Sequence, residues 1–86
     1  MRFLVETSFK QAPAPDVLAL IPAEVAHGKT LDARGIREIL YVAASQSKTW
    51  QIYRDESAAG VERIVGEFPL TAFLDVHLTA LAGAVS

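Results

Sequence analysis

Cysteine is absent from the 86-residue chain. Its absence removes disulfides, thiolate nucleophiles and thiolate metal sites together, and it is compatible with a reducing cytoplasm, the expected location. The two histidines, His27 and His77, belong to different expected elements and no metal-binding spacing links them, so no metal is expected. No Gly-rich phosphate loop occurs. No apolar stretch approaches the ~18–20 residues of a membrane span, and the opening Met1-Arg2-Phe3-Leu4-Val5-Glu6 meets a carboxylate too early for a secretory signal. Neither membrane nor secretion is therefore expected. Basic residues form no block: eight face ten acids, for a formal charge of -2, and nucleic acid is a poor partner. Ser45 and Ser47 lack a nearby His/Asp grouping to activate them, which argues against nucleophilic catalysis. Repeats and low-complexity tracts are lacking too.

What the chain has is apolar surface. Hydrophobic residues make up 51% of it and mean hydropathy is +0.27. The length fits one domain, residues 1–86, whose thin core hides roughly 60–65% of the surface of the unfolded chain. A second protein surface is the natural destination for the surplus.

The periodicities divide the chain into six elements. Arg2 to Lys10 alternates as a strand, with Phe3, Val5, Thr7 and Phe9 on one face and Leu4, Glu6 and Ser8 on the other. Pro13 and Pro15 deny helix to the residues before them, and Asp16 is placed to cap the next helix. From Val17 to about Arg34 the period is helical, with Val17, Leu18, Ile21, Val25 and Gly28 in one stripe and Leu20, Glu24, His27 and Leu31 beside it. Pro22 predicts a kink, or a short turn before the helix proper, and Gly35 closes the helix. Ile36–Ala44 and Thr49–Asp55 read as strands joined by the loop Ser45-Gln46-Ser47-Lys48. Ser57 caps a second helix whose Val61, Ile64, Val65 and Phe68 form a stripe. Phe73–Leu81 is the last strand, and 82–86 is a loose tail.

The order β-α-β-β-α-β predicts a ferredoxin-like α+β fold, a four-stranded antiparallel sheet with both helices on one face. On strand four Leu74, Val76 and Leu78 meet the helices, while Asp75, His77 and Thr79 share the bare face with Leu4. Strands two and three, with Leu40, Tyr41, Val42, Trp50, Ile52 and Tyr53, are apolar on both sides. Such a face invites a second copy, forming a dimeric α+β barrel that encloses a cavity and buries about 800 Å² per partner.

With the elements laid out, the chain resembles the muconolactone isomerase family from about Glu24 through Leu81, and more loosely through the first strand. Glu24 precedes Gly35 at the family's spacing, Ser57 opens a helix of the family's length, and Phe68-Pro69-Leu70 to Phe73-Leu74-Asp75-Val76 is similar to the family's Pro-Leu, aromatic, apolar, Asp sequence. The resemblance implies a cofactor-free isomerase that shifts a carbon–carbon double bond in a small butenolide, as in the breakdown of aromatic compounds. It also implies homo-oligomers built on barrel dimers, up to a decamer. The family's isomerases carry His in place of Leu4, Lys in place of Glu6, Arg in place of Val42 and His in place of Gln46. With Leu4, Glu6 and Val42 on the cavity side, this cavity is expected to be less cationic and its ligand more neutral.

Glu24 is the first candidate for general base, because partial burial beside Leu20 and Leu31 would raise its pKa toward neutrality. His27, one turn on, is a candidate shuttle or substrate contact. Asp75 and His77 alternate onto the bare face about 6–7 Å apart and are a candidate proton-transfer pair, or structural partners of Arg37 or Arg54. Glu6, on the same side, needs a cation such as Lys48. Tyr41, Trp50, Tyr53 and Phe73 are candidate pocket walls for a flat ligand. Lys29, Asp32, Arg34, Glu62, Arg63 and Glu67 read as solvated helix faces.

Two rival readings use the same fold, which hosts many activities. One is a cofactor-independent monooxygenase or cyclase of phenolic or polyketide-like compounds, with Trp50 and a tyrosine walling a deep pocket. The other is a non-enzymatic small-molecule binder or oligomerisation module, its interior packed shut by Leu4, Tyr41, Trp50 and Ile52 and its Glu24 solvated.

Overall fold

The computed structural model describes residues 1–83. The expected loose tail falls largely on residues 84–86, outside the described residues, while Ala82 and Gly83 belong to no regular element. In chain order the elements are β1 (Arg2–Phe9), α1 (Pro15–Leu18), α2 (Ile21–Ala33), β2 (Arg37–Val42), β3 (Lys48–Arg54), α3 (Ala58–Gly66) and β4 (Leu74–Leu81), with a 3-10 turn at Thr71–Phe73 before β4.

The helical stretch at 17–34 divides in two. Pro22 has no N–H to offer the Leu18 carbonyl, so the first turn cannot propagate. Instead Pro22 sits in the first turn of α2, where an N–H would have no partner, and Glu24 N–H bonds back to the Leu20 carbonyl at 3.0 Å. Asp16 does not cap: α1 starts earlier, with Pro15 in its first turn, and no side chain caps it. The C-terminus of α2 follows the expectation. Gly35 adopts φ 72°, its N–H reaches Asp32 O at 3.1 Å, and Ile36 N–H reaches Leu31 O at 3.0 Å, a Schellman closure. Ser57 caps α3, its hydroxyl accepting from Gly60 N–H at 3.1 Å.

The sheet order is β2-β3-β1-β4, antiparallel throughout the ferredoxin-like arrangement. β1 pairs Phe3 with Tyr53 and Ala80, and Val5 with Gln51 and Leu78. Opposed residues share a face, so Phe3, Val5, Thr7, Thr49, Gln51 and Tyr53 all lie on one side. Leu31 of α2 and Val61 and Val65 of α3 join Phe3, Val5, Tyr53 and Phe68 in a single core cluster, which places both helices against that side. β2 is shorter than expected, and an irregularity between Arg37 and Ile39 puts Arg37 on the helix side while Ile39 pairs with Ile52 on the other. The connecting turn runs over 43–47, with Gln46 at φ 61°.

Candidate active site

Between α2 and the helix-facing side of the sheet lies a cavity of about 350 Å³, within the range of small-ligand sites. Its floor is polar and comes from three strands: Thr7 of β1, Arg37 of β2, and Thr49 and Gln51 of β3. Its walls are largely apolar, with Ile21 and Val25 from α2, Leu40 and Val42 from β2, and Phe68 and Leu70 from the chain after α3. Ile21, Val25, Leu40 and Val42 keep 39–53% of their surface exposed, so the apolar stripe of α2 faces this opening rather than a closed core.

Glu24 enters the cavity from the first turn of α2. Its side chain is half-buried, and Oε1 accepts the Leu70 backbone N–H at 2.9 Å. Burial raises its pKa above the ordinary carboxylate value, opposed in decreasing order by that N–H, by His27 and by Arg37. A half-buried carboxylate fixed by a backbone donor and flanked by apolar walls is equipped to take a proton from a bound carbon acid.

The floor is ordered by an ion pair. Arg37 Nε and Nη2 donate to Asp32 Oδ1 and Oδ2 at 2.7 and 3.0 Å. Asp32 is thus no mere solvated residue, and its carboxyl is held below its usual range by the guanidinium. Arg37 is buried, and it pairs with Asp32 rather than Asp75. Gln51 accepts from Arg37 Nη1 at 3.3 Å and from the Tyr53 hydroxyl at 2.7 Å.

Of the candidate catalytic and ligand-contacting residues, only Glu24 lines this cavity. His27 lies one turn further on, its ring edge-on to Phe68 at 4.5 Å, with Nε2 buried and without a hydrogen-bond partner. Asp75 and His77 leave β4 on the opposite face, away from Glu24. There His77 Nδ1 lies 3.6 Å from Glu6 Oε2 and Lys48 Nζ lies 3.5 Å from Glu6 Oε1, so Glu6 finds the cation it needs. Tyr41, 66% exposed, and Trp50, covered by Lys48 at 5.3 Å, pair on that bare face as well. Tyr53 is core, and burial pushes its phenol up to about 12. Phe73 sits in the 3-10 turn beside a separate hollow with Pro13 and Val17. The aromatic wall is therefore supplied by Phe9 and Phe68 instead. Strand alternation is the reason: Tyr41 and Trp50 fall on the opposite side of the sheet from Glu24.

The same alternation separates two hollows. The cavity that holds Glu24 lies on the helix side, so Leu4 and Glu6 are remote from it while Val42 and Gln46 line it, and Glu6, Lys48, Asp75 and His77 border a second, more open hollow on the bare side. The floor residues were missed, although they left a signal. Thr7 is polar on the otherwise apolar inward face of β1, and Thr49 and Gln51 share the inward face of β3 with Tyr53; buried polar groups there must have partners. Among the described residues no group of three or more His, Cys, Asp or Glu is arranged to hold a metal ion.

The model of the muconolactone delta-isomerase family matches residues 1–85. The fold is similar to the crystal structure of a muconolactone isomerase, with TM-score 0.83 and 19% identity over 100% of this chain and 93% of that one. It is also similar to 5-chloro-2-hydroxyhydroquinone dehydrochlorinase from Burkholderia phenoliruptrix in complex with 2,5-dihydroxybenzoquinone, with TM-score 0.68 and 14% identity over 98% and 96%. A third likeness is to a Deinococcus radiodurans protein assigned to antibiotic-biosynthesis monooxygenases, with TM-score 0.57 and 12% identity over 100% and 97%. At these identities the likeness is one of fold. Among curated protein sequences none matches this chain.

Proposed function

The chain belongs to the muconolactone delta-isomerase family, and from that premise we propose that it catalyses cofactor-independent proton transfer on a small lactone or enolisable carbonyl compound, moving a ring double bond. The observation that carries the reading is Glu24, a half-buried carboxylate held by the Leu70 N–H in an otherwise largely apolar cavity. The ring lies against Ile21, Val25, Leu40 and Val42. The Glu24 carboxylate removes a proton from the carbon next to the carbonyl, and the same carboxyl returns it at the far end of the conjugated system.

The cavity volume suits a single small ring. The monooxygenase or cyclase reading needs Trp50 and a tyrosine in the wall of a deeper pocket, and the non-enzymatic reading needs a shut interior and a solvated Glu24. The half-buried Glu24 supports the isomerase reading over the non-enzymatic one, and a cavity wall without Trp50 or a tyrosine supports it over the monooxygenase or cyclase one.

The bare sheet face completes the proposal. Ile39, Tyr41, Trp50, Ile52 and Leu4 form an apolar strip there, flanked by the Arg2–Glu38 and Lys48–Glu6 pairs. A second copy of the chain covers it, giving a homodimer in the cytoplasm from which larger assemblies are built. The test of the catalytic reading uses α-angelica lactone, a neutral methyl butenolide. Glu24→Gln is expected to slow its isomerisation by about 10²–10⁴-fold, the usual worth of a positioned base; unchanged turnover rejects the assignment.

A further inference from the structure

The polar floor of the cavity has a direction set by proton counting. Arg37 can only donate, so the Gln51 amide atom 3.3 Å from its Nη1 is the oxygen and not the nitrogen. The Tyr53 hydroxyl, 2.7 Å from the same oxygen, donates as well. Burial keeps that phenol protonated, its pKa pushed up to about 12. The Gln51 amide nitrogen is left facing Thr49 Oγ1 at 2.9 Å, where it donates. Thr49 Oγ1 shares a hydrogen bond with Thr7 Oγ1 at 2.6 Å. These two hydroxyls own two protons between them, and their mutual bond consumes one. The other is left over, on Thr7 if Thr49 is the donor and on Thr49 if Thr7 is. Both residues border the cavity that Glu24 enters.

We propose that this remaining hydroxyl proton, presented by the Thr7–Thr49 pair and oriented through Gln51, is the donor that holds the substrate's carbonyl oxygen. The inference rests on Glu24 being the base. When Glu24 takes the proton beside the carbonyl, the C–H electron pair becomes a C=C bond and the carbonyl π pair moves onto oxygen. The threonine hydroxyl stabilises that oxygen without giving up its proton. Return of the Glu24 proton to the far carbon restores C=O, so protons and electrons balance with no oxidant. The guanidinium of Arg37 is already engaged by both Asp32 oxygens. The floor therefore offers a dipole, suited to a lactone or ketone carbonyl rather than a carboxylate.

Gln51→Glu tests the direction. A carboxylate at 51 keeps the contacts to Arg37 and Tyr53 but accepts from Thr49. The chain then runs from Thr7 through Thr49 to position 51, and no proton is left for a ligand. The probe is 2(5H)-furanone carrying ¹³C at the carbonyl, bound to Glu24→Gln protein so that it does not turn over, and read by difference infrared spectroscopy. The carbonyl stretch is expected at lower wavenumber with Gln51 than with Glu at 51, and the low value should return as acid protonates the new carboxylate. With Glu24 intact, Gln51→Glu should slow isomerisation of α-angelica lactone about 100-fold, the usual cost of a lost oxyanion donor. Thr7→Ser and Thr49→Ser, which retain the hydroxyls, should keep the low carbonyl stretch. An unchanged stretch and rate in Gln51→Glu overturn the proposal. If that variant does not fold, the Thr7→Val/Thr49→Val protein replaces it, and an unchanged stretch there is equally fatal. An active Glu24→Gln enzyme sinks the base reading alone, since the infrared comparison does not depend on it. Furanone that fails to bind either protein overturns both.

Discussion

At the scale of single residues, the site depends on how two carboxylates are treated by their surroundings. Glu24 is pushed up by burial, so the folded state binds its proton more tightly than the unfolded chain does. Stability is therefore lost as pH rises from the ordinary carboxylate range through Glu24's raised value, and it stays lower above that. Glu24→Gln keeps the acceptor for Leu70 N–H and removes the charge. Its melting temperature at neutral pH is expected to equal or exceed that of wild type, with the gap closing in acid. In the wild-type enzyme, kcat/KM should fall on acidification with a midpoint above the ordinary glutamate value. Asp32 has the opposite sign. Its pKa is held down chiefly by the Arg37 hydrogen bond, so its contribution is present above the unfolded carboxylate pKa and lost as pH falls through the lower folded value. Asp32→Asn strips the counter-charge from a buried guanidinium. Because the Asp32 side chain is 47% exposed, the cost expected from denaturant unfolding at neutral pH is about 2 kcal/mol, the worth of a hydrogen bond to a charged group. A wild-type midpoint in Asp32→Asn would show that water replaces the carboxylate.

At the scale of elements, α2 is the part that makes the site, and Gly28 shows how. A Cβ built there would stand 2.6 Å from Arg37 Nη2, so this helix crosses the guanidinium at a distance only glycine permits. Gly28→Ala gains roughly 0.5–1 kcal/mol of helix propensity but must displace Arg37 from Asp32 and Gln51. The net is expected to be a loss of about 1 kcal/mol in denaturant unfolding together with weaker lactone binding, since ion-pair and floor contacts of greater worth are disturbed. Ser57→Ala is the control: removing the cap of α3 should cost about 1 kcal/mol and leave KM unchanged. Much of this level was legible in the sequence. The strand faces of β1 and β4, the Ser57 cap and the Gly35 closure are dictated by local rules. The start of α1 and the break before Ile21 were only half visible, because Pro15 and Pro22 each fit a first turn as well as a kink.

At the scale of the whole molecule, the fold could be read from six periodic segments, whereas the site needed the third dimension. Glu24 stood out by its position beside an apolar stripe, but alternation alone does not say which sheet face encloses a cavity. Asp75, His77, Tyr41 and Trp50 have chemistry suited to a site but lie on the opposite face from Glu24. The Asp32–Arg37 pair joins a helix to a strand across a turn, a contact that no periodicity encodes. The proposed association through the bare face belongs to this scale as well. Replacing both Ile39 and Tyr41 by Glu should shift the chain from a dimer toward its 9.3 kDa monomer in light scattering, with the helix-side cavity intact; a wild-type chain already monomeric at high concentration would reject the interface. The catalytic account itself turns on the carboxylate of Glu24, and its most direct measurement is proton NMR of α-angelica lactone in D₂O with wild-type and Glu24→Gln protein. Double-bond migration and exchange of the ring proton beside the carbonyl should be rapid with wild type and fall to the solvent rate with the variant. Equal rates in the two proteins would contradict the account.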